Sequence, residues 1–429
     1  MSKLARRTFL KRVLQGAAVA GALPLLRHQF SYTESVEAAE GQSKYLIILN
    51  LAGGGDSHYF FPYVGQHAGR LVDMRGGLQN GIAVDPATAI SLDGELGLNR
   101  LLAPLAPLHQ AGQLKLIQKA GMPDASGSHN DASNYYSLGA RYGGGSAQSG
   151  WVGRLMNAYQ FSSFDVYGLS GGNRLDFAGA SNTPILADRL GWYNYSNRTY
   201  DLGGDWESRH SRQIINELTS LHVPRTPTDA RLKSAQTLYQ DAVTRVQRIA
   251  SLPVGQYPAS GQGANFADVE RVIRDDRASG NRHSKVFYLL MGGYDTHSNA
   301  KPFLEWALPT VANAVSSFAA NISALDPQVW ANTMVLMYGE FSRTLRINGG
   351  AGTDHGSAQT MLAVGGSVRG GQSAVAGPLP TVAELNDNND LQYAVDYRNV
   401  LGSAINWMGY DPARVFTENY NRYDVQLTA

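Results

Sequence analysis

Residues 45–58 read YLIILNLAGGGDSH, and this stretch decides the fold. Its first seven residues are almost entirely apolar, and three glycines and Asp56 follow soon after them. A short run of this kind is typical of a strand that is buried on both faces of a parallel sheet. The ligand crevice of an open parallel sheet lies beyond the carboxyl ends of its strands. We therefore expect functional side chains where this strand ends.

The same pattern recurs along the chain, with helical periodicity between the apolar runs. The further predicted strands are 114–120, 286–291, Thr333–Tyr338 and 361–364. The predicted helices are 100–110, 149–159, 229–252, 265–277, 301–325 and 396–408. Alternation of strand and helix predicts an α/β fold, a three-layer α/β/α sandwich with a mainly parallel sheet covered on both faces.

Two segments interrupt the alternation. Residues 186–206 are rich in Trp and Tyr among polar residues, and we interpret them as an aromatic insertion. Such an insertion either packs onto its own domain or stacks a flat ligand such as a sugar. Residues 253–264 are rich in Pro, Gly and Ser, which predicts a flexible linker that divides the sheet into two halves.

Composition excludes several classes of protein. The 429 residues contain no cysteine, which excludes disulfide scaffolds, Cys-ligated zinc, iron–sulfur clusters and thiol nucleophiles. Lys and Arg total 36 against 35 Asp and Glu, so the chain lacks the basic footprint of a nucleic-acid-binding protein. No feature of the sequence specifies an oligomeric state.

The first 38 residues resemble a twin-arginine signal peptide, with Arg6-Arg7-Thr8-Phe9-Leu10-Lys11 before an apolar stretch. That stretch is interrupted by Gly and Pro and is shorter than the roughly 20 residues of a membrane span. We expect a periplasmic or secreted protein with no other span, and an uncleaved signal anchor is the alternative. The signal holds six basic and two acidic side chains, which leaves 30 against 33 in the mature chain.

Carboxylates and histidines cluster after the predicted strands. Besides Asp56, these are Asp295 with His297, then Glu340, and finally Asp354 with His355. Residues two apart in extended chain point the same way, so Asp295 and His297 share a face. Mixed carboxylate and imidazole ligands suit Zn, Mn or Fe better than Ca. The pattern predicts a divalent metal site with one or two ions.

Residues 126–129 read SGSH, just before a predicted helix. Ser128 is either the N-cap of that helix or a nucleophile favoured by the helix dipole, and His129 is a candidate proton carrier. Arg343 pairs either with an anionic substrate or with Glu340. A separate esterase hypothesis comes from residues 168–172, GLSGG, which fit a nucleophile elbow centred on Ser170.

Eight segments in this order resemble the landmarks of the bacterial family labelled domain of unknown function 1501. They are LNLAGGGD (49–56), SGSHNDASNYYSLG (126–139), SGWVGRL (149–155), MGGYDTHS (291–298), GEFSRT (339–344), GTDHG (352–356), VGGSVRGG (364–371) and DYRNVLGSAINWMG (396–409). That family is similar to the alkaline phosphatase and sulfatase superfamily, whose members hold a metal pair with Asp and His at strand ends. The resemblance implies one alkaline phosphatase-like domain over 44–410, followed by a tail at 411–429.

The resemblance also implies roles for single residues. Asp56 resembles the first-strand metal ligand, Asp295 and His297 the central ligands, Glu340 the next strand-end ligand, and His355 with Asp354 the closing ligand. Ser128 falls near the superfamily nucleophile. Gly127 stands where the family usually has Arg, and the absence of Cys excludes a sulfatase that makes formylglycine from Cys.

We therefore expect an exported metal-dependent hydrolase of phosphate or sulfate esters, acting on a small anionic ester or a glycan. The alternatives are a non-catalytic, metal-stabilised binding or assembly protein of the cell envelope, and a serine esterase that uses Ser170.

Overall fold

The computed structural model describes residues 43–123, 125–140, 149–169, 175–192, 241–280, 283–371, 375–387 and 390–428. Its strands are β1 (Tyr45–Leu51), β2 (Ile90–Ser91), β3 (Gly97–Leu98), β4 (Leu114–Gly121), β5 (Val166–Leu169), β6 (Ile185–Ala187), β7 (Lys285–Met291), β8 (Thr333–Tyr338), β9 (Gln359–Gly365), β10 (Val375–Ala376) and β11 (Val395–Asp396). The five strands predicted from sequence are β1, β4, β7, β8 and β9.

The helices lie mostly between the strands. They are α1 (Ser57–Phe60), α2 (Ala68–Met74), α3 (Gly77–Asn80), α4 (Ala106–Gln110), α5 (His129–Leu138), α6 (Trp151–Ala158), α7 (Gly261–Ser279), α8 (Ala300–Leu325), α9 (Pro327–Ala331), α10 (Val382–Asp387) and α11 (Tyr397–Trp407). Residues 241–250 are also helical. The segment predicted as one helix from residue 100 begins as a 3₁₀ helix, Arg100–Leu105, which contains Pro104; α4 follows it.

Nine strands of the described chain form one sheet, in the order β10-β4-β9-β8-β1-β7-β5-β6, with β11 also paired to β4. The paired strands run parallel except β9, which is antiparallel to both β4 and β8. The predicted mainly parallel sheet is confirmed. β2 and β3 form a separate antiparallel pair.

Both faces of the sheet are covered, as the central strand shows. Every residue of β1 is buried, and its side chains alternate between two cores. Ile47 and Leu49 belong to one core, which α7 and α8 cover. Leu46 and Ile48 belong to the other, which α6 and α11 cover. The alternation follows from the two-residue period of a strand, and it makes the domain a three-layer α/β/α sandwich, as predicted.

The predicted flexible linker at 253–264 is wrong in both respects. α7 already begins at Gly261, and the buried Glu270 carboxylate accepts hydrogen bonds from the Gly255 amide and the Tyr257 hydroxyl. The sheet is continuous across this segment, because β5 and β7 are hydrogen-bonded neighbours. Pro and Gly here mark a turn that a buried carboxylate holds in place.

The chain after Asp411 contributes to the core. Val415, Phe416 and Leu427, all within the segment predicted as a tail, are buried in the core that contains α11. Within the described ranges, none of the helices combines the length and the apolar character that a membrane span needs. Residues 1–38, the predicted signal, lie outside the described residues, as does most of the predicted aromatic insertion at 186–206.

Strand direction brings five loops to one edge of the sheet. β1, β4, β7 and β8 run the same way, so their carboxyl ends lie together. β9 runs the opposite way, so its amino end, which His355 precedes, lies at this edge as well. This is the edge at which the sequence predicts the metal site.

Candidate metal centre

Three imidazole rings converge on one carboxylate oxygen. The Nε2 atoms of His297 and His355 each lie 3.1 Å from Oδ1 of Asp295, and Nε2 of His129 lies 3.3 Å from the same atom. The Nε2 atoms of His297 and His355 are 2.8 Å apart. Four side chains from three separate stretches of sequence therefore meet at one point, and we call this group the histidine cluster.

Each member is placed by the end of a regular element. Asp295 and His297 follow β7 and lie before α8, whereas His355 precedes β9. His129 is the first residue of α5, whose N-cap is Ser128. Three chain segments at the carboxyl edge of the sheet thus supply the atoms that meet in the histidine cluster.

The outer nitrogens of two rings each face a hydrogen-bond acceptor. Nδ1 of His129 lies 2.7 Å from Oε1 of Glu340, and Nδ1 of His355 lies 2.6 Å from the carbonyl oxygen of Gly127. Both partners are acceptors, so the tautomer of each ring in which Nδ1 donates leaves an Nε2 lone pair directed at the centre of the cluster. Nε2 of His129 is buried and has no hydrogen-bond partner among the described residues.

The third ring is held by a carboxylate that an amide orients. Nδ1 of His297 lies 3.3 Å from Oδ1 of Asp354. Asn348 donates to that same oxygen at 2.9 Å and also to the backbone carbonyl of His297. The hydrogen bond from Asn348 lowers the pKa of Asp354. The anionic Asp354 is therefore an acceptor for Nδ1 of His297, and Nε2 of the same ring faces Asp295.

The cluster fits a divalent transition metal. Converging imidazole lone pairs beside a carboxylate repel one another unless a cation or a proton lies between them. Ligand atoms at 2.0–2.1 Å from a tetrahedral zinc ion lie roughly 3.3 Å apart, close to the 2.8–3.3 Å found here. Metal-bound histidines characteristically donate their other ring nitrogen to a carboxylate or a backbone carbonyl, and all three outer nitrogens here face such an acceptor. The ligand atoms of His129, Asp295 and His355 all lie within 4.8 Å of one another.

Asp295 is anionic and open to solvent. Partial burial alone would raise its pKa, but hydrogen bonds from His355 and Arg343 outweigh burial and lower the pKa to about 2. The side chain is 46% exposed, whereas that of Arg343 is fully buried. The cluster therefore has an open side, exposed to solvent at Asp295 and His297. Its opposite side, which we call the floor, is formed by the buried side chains of Arg343 and Glu340.

Arg343 belongs to the floor. Its Nη1 donates to Oδ1 of Asp295 at 2.9 Å and to the carbonyl of Gly53 at 3.3 Å, and its other nitrogens donate to Thr353. The guanidinium pairs with Asp295 rather than with Glu340, the protein partner predicted from sequence as the alternative to an anionic substrate. Its donors join the β1 loop, the β7 loop and the strand end before His355.

The glycine after β1 allows these loops to approach one another. Gly53 has a positive φ of 108°, and a Cβ there would lie 2.4 Å from the backbone nitrogen of Asp295. Its amide donates to Oε1 of Glu340, the oxygen that also accepts from His129. Only glycine combines this conformation with this contact.

An aromatic ring supports two of the imidazoles. The ring centroid of Phe341 lies 4.9 Å from that of His129 and 4.8 Å from that of His355. Phe341 is buried against Gly54, where a Cβ would lie 2.5 Å from the ring. The side chain restricts both rings through packing.

Glu340 and Asp354, predicted as metal ligands, lie behind the histidines rather than among them. Their contacting oxygens face Nδ1 atoms, which places them as partners of His129 and His297. His129, predicted as a proton carrier, contributes an inward-facing nitrogen. In this geometry the inner atoms come from His129, Asp295, His297 and His355.

Asp56, also predicted as a ligand, is placed elsewhere. It is fully buried, and both carboxylate oxygens accept hydrogen bonds from the guanidinium of Arg75, at 2.6 and 2.9 Å. Oδ1 also accepts from the Tyr59 amide and caps α1. Burial lowers the pKa of the neighbouring His58 to about 3, so that imidazole is neutral. The sequence does not indicate that Arg75 would neutralise the Asp56 carboxylate.

Ser128 lies beside the cluster as the N-cap of α5. Its exposed hydroxyl accepts from the Asp131 amide at 3.4 Å. Of its two neighbours, Gly127 contacts His355 and His129 is itself a member of the cluster. Ser170, the other candidate nucleophile, lies outside the described residues.

Three further residues contribute to this centre, although none is among the residues predicted for it. The Gly127 carbonyl carries no side-chain signal. Asn348 lies in a loop without a strand-end pattern. Phe341 lies inside the GEFSRT segment. An aromatic residue between Glu340 and Arg343 is the sequence signal that could have indicated packing at this strand end.

The fold is similar to several solved structures. The lipoteichoic acid synthase LtaP from Listeria monocytogenes is 8% identical, with 94% of this chain and 80% of that chain covered and a TM-score of 0.38. A protein in the alkaline phosphatase superfamily from Vibrio parahaemolyticus is 13% identical, with 93% and 78% covered and a TM-score of 0.36. The C-terminal periplasmic domain of EcEptC from Escherichia coli, in complex with Zn, is 8% identical, with 91% and 92% covered and a TM-score of 0.38.

No curated protein matches the sequence. Residues 113–428, well over half of the chain, match the family model described as Protein of unknown function (DUF1501). The match includes seven of the eight segments on which the resemblance was based, all but the one that ends β1. The protein therefore belongs to the DUF1501 family, as its sequence motifs predict.

Proposed function

We propose that the protein is an exported metal-dependent hydrolase of phosphate or sulfate esters. The supporting observation is the convergence of three Nε2 atoms on Oδ1 of Asp295, each from a ring whose Nδ1 faces an acceptor. Imidazole and carboxylate donors favour zinc, manganese or iron over calcium. Three histidines with an open side are also the ligand arrangement of catalytic rather than closed structural zinc sites.

A bound divalent ion would stabilise the negative charge that develops on a phosphoryl or sulfuryl group. The chain's own residues prepare that position. His129, His297 and His355 direct their Nε2 atoms at it, and Glu340 and Asp354 hold two of the rings. The buried guanidinium of Arg343 fixes the Asp295 carboxylate. The open side at Asp295 and His297 is where an ester would enter.

Ser128 is the candidate nucleophile. Its exposed hydroxyl lies at the amino end of α5, where the helix dipole favours developing negative charge. The contacts of Gly127 and His129 hold it next to the cluster. Substrates in this proposal are small anionic esters or esters on a glycan.

The test measures metal and activity on the same preparation. Protein exported by its host should contain bound zinc, manganese or iron by elemental analysis, and should hydrolyse aryl phosphates or aryl sulfates. His355→Ala should lose metal and activity together. A protein that carries no metal, or whose activity survives complete chelation, contradicts the proposal.

Export is proposed from the paired arginines at positions 6 and 7. Replacing both with lysine should trap the protein in the cytoplasm, as detected by cell fractionation, because twin-arginine recognition requires the arginine pair. Secretion that continues unchanged contradicts this route. The fractions will also show whether residues 1–38 are removed or retained as an anchor.

A second candidate is a non-catalytic envelope protein that the metal stabilises. The observation favouring it is that the Ser128 hydroxyl serves as the N-cap of α5. Ser128→Ala separates the two functions. Loss of hydrolysis with full metal content supports catalysis, whereas an unchanged phenotype with full metal content supports a binding or assembly role.

A further inference from the structure

A carboxylate behind the histidine cluster has no role in the function proposed above. Half-buried Asp390 accepts hydrogen bonds from both the backbone and the side chain of Ser357: Oδ1 lies 2.8 Å from the amide nitrogen and Oδ2 lies 2.5 Å from the hydroxyl oxygen. Ser357 is two residues after His355. Asp390 is therefore attached to the segment that carries His355 and Asp354.

This segment is held from two sides. On one side, His355 forms an antiparallel bridge with Arg343, and the Gly356 amide donates to the carbonyl of Ser342 at 2.9 Å. On the other side, the next amide, that of Ser357, donates to Asp390. A Cβ at position 356 would lie 2.9 Å from both the Arg343 backbone and Oδ1 of Asp390, so the chain is closely confined between them.

Asp390 is an unusual carboxylate for a purely structural position. In the part of the chain that the structure describes, no basic side chain forms an ion pair with it. Burial raises its pKa, and the hydrogen bonds from Ser357 only partly offset that rise. A partly buried carboxyl without a counter-cation costs stability, and here its hydrogen bonds go to the segment that carries His355.

We infer that Asp390 is a positioning residue for the metal centre, which acts through Ser357 to fix the backbone from which Asp354 and His355 project. The inference rests on the proposed metal site. Outer partners of metal ligands typically contribute 10–100-fold to metal affinity. Asp390 belongs with Glu340 and Asp354 in this supporting set, although it contacts no imidazole.

The experiment measures zinc affinity of the full chain by competition with a chromophoric chelator. Asp390→Ala should weaken zinc binding by roughly 10–100-fold. Asp390→Asn should stay close to wild type, because a carboxamide can accept from the Ser357 amide and donate to its hydroxyl. Ser357→Ala, which removes one of the two hydrogen bonds, should fall between them and provides a milder variant if Asp390→Ala fails to fold.

Glu270 supplies the matched control. Like Asp390, it accepts from a backbone amide and a hydroxyl, those of Gly255 and Tyr257, and it pins a turn near Asn321 toward the carboxyl end of α8. Unlike Asp390, Glu270 also pairs with Arg274 at 2.7 Å, and a carboxamide removes the charge from that pair. Glu270→Gln should therefore lower the unfolding temperature without changing zinc affinity. This comparison separates a general loss of stability from a specific loss of the backbone position that Asp390 gives to His355.

The outcomes are distinct. Folded Asp390→Ala with wild-type zinc affinity overturns this inference and leaves the proposed function intact. An equal loss of affinity in Glu270→Gln also overturns it, because the effect would then be one of general stability. Wild-type protein that binds no zinc, manganese or iron overturns the proposed function and this inference together.

Discussion

The orientation of each imidazole is the property on which the site depends. His129 and His355 both direct Nδ1 to an acceptor and Nε2 to Asp295. The other tautomer of either ring would place an N–H donor toward the centre and could not ligate a cation. The acceptors behind the rings, rather than the histidines alone, therefore determine whether a metal binds.

Replacing a ligand and replacing its outer partner should have graded effects. We expect Glu340→Gln to weaken zinc binding about 10-fold, within the range found for outer partners, and His355→Ala to weaken it by more than about 100-fold. His109→Ala is the control, because His109 lies in the last turn of α4, before the amino end of β4 and so at the opposite edge of the sheet. Equilibrium competition for zinc gives the affinities. Equal affinities for Glu340→Gln and His355→Ala would contradict the assignment of inner and outer residues.

Gly53 tests the close approach of the β1 and β7 loops. A Cβ at Gly53 would meet the Asp295 nitrogen at 2.4 Å, whereas Gly94 has a similar positive φ of 91° with no atom within 4 Å. Gly94→Ala should therefore cost only the strain of a positive φ, about 1–2 kcal/mol. Gly53→Ala should lower unfolding free energy further and reduce zinc affinity, as measured by urea unfolding and metal titration. Similar losses in both variants would show that backbone strain alone matters at Gly53.

At the scale of elements, buried charges tie the amino end of β7 to its neighbours. Nζ of Lys285 lies 2.9 Å from Oδ1 of Asp276 on α7 and 3.1 Å from Oδ1 of Asp165 in the 3₁₀ helix Ser163–Asp165. Asp276 also accepts from the Tyr45 hydroxyl at the start of β1. The group lies at the edge opposite the histidine cluster, so it affects stability and not the site.

Removing the buried ammonium should be costly. Lys285→Met leaves two buried carboxylates without a counter-charge, and we expect a loss of about 3–5 kcal/mol in unfolding free energy. The comparison is Arg277→Met, which breaks the exposed pair between Arg277 and Asp326 and should cost far less, because solvent screens that pair. Urea denaturation measures both. A Lys285→Met variant as stable as Arg277→Met would mean that the two carboxyls are protonated in the fold.

The same group predicts a dependence of stability on pH. Burial by itself raises the pKa of Asp165, but the Lys285 ammonium and hydrogen bonds from Ser162 outweigh it and lower the pKa below its ordinary value. A lowered folded-state pKa contributes stability above the unfolded value of about 3.9, which is lost as pH falls through the folded value. The stability difference between wild type and Asp165→Asn should shrink below about pH 4 in urea unfolding series. A constant difference down to pH 2, well below that value, would contradict this.

At the scale of the whole molecule, the cluster joins loops from both halves of the chain. The contact between His129 and Glu340 spans 211 residues, and that between His355 and Gly127 spans 228. A ligand that binds only the folded state stabilises it by mass action. A metal at this point therefore contributes to the stability of the whole sheet edge.

Zinc should raise global stability to a predictable extent. At a free zinc concentration 100 times the dissociation constant, the gain is about 2.7 kcal/mol. Thermal unfolding with added zinc and after chelation measures it, and His355→Ala should show no such shift. Equal shifts in wild type and His355→Ala would place the bound zinc at another position.

Local pattern was sufficient for five of the nine strands described in the sheet and for the region of the site. Strands such as β1 and β8 are buried on both faces, so they appear in the sequence as nearly unbroken apolar runs. Because parallel strands end at one edge, the motifs that follow them had to lie together. The position of Asp295 and His297 at the site edge follows from that rule alone.

The sequence by itself determined the strand pattern, the family and the edge where chemistry-bearing residues gather, because each is encoded by neighbours along the chain. Only the tertiary structure decided which atoms meet. Asp56 pairs with Arg75, Glu340 with His129, and the tightly held turn at 253–260 replaces the expected linker. These outcomes depend on hydrogen bonds and charge pairs between residues brought together by packing, and such contacts leave no periodic signal in sequence.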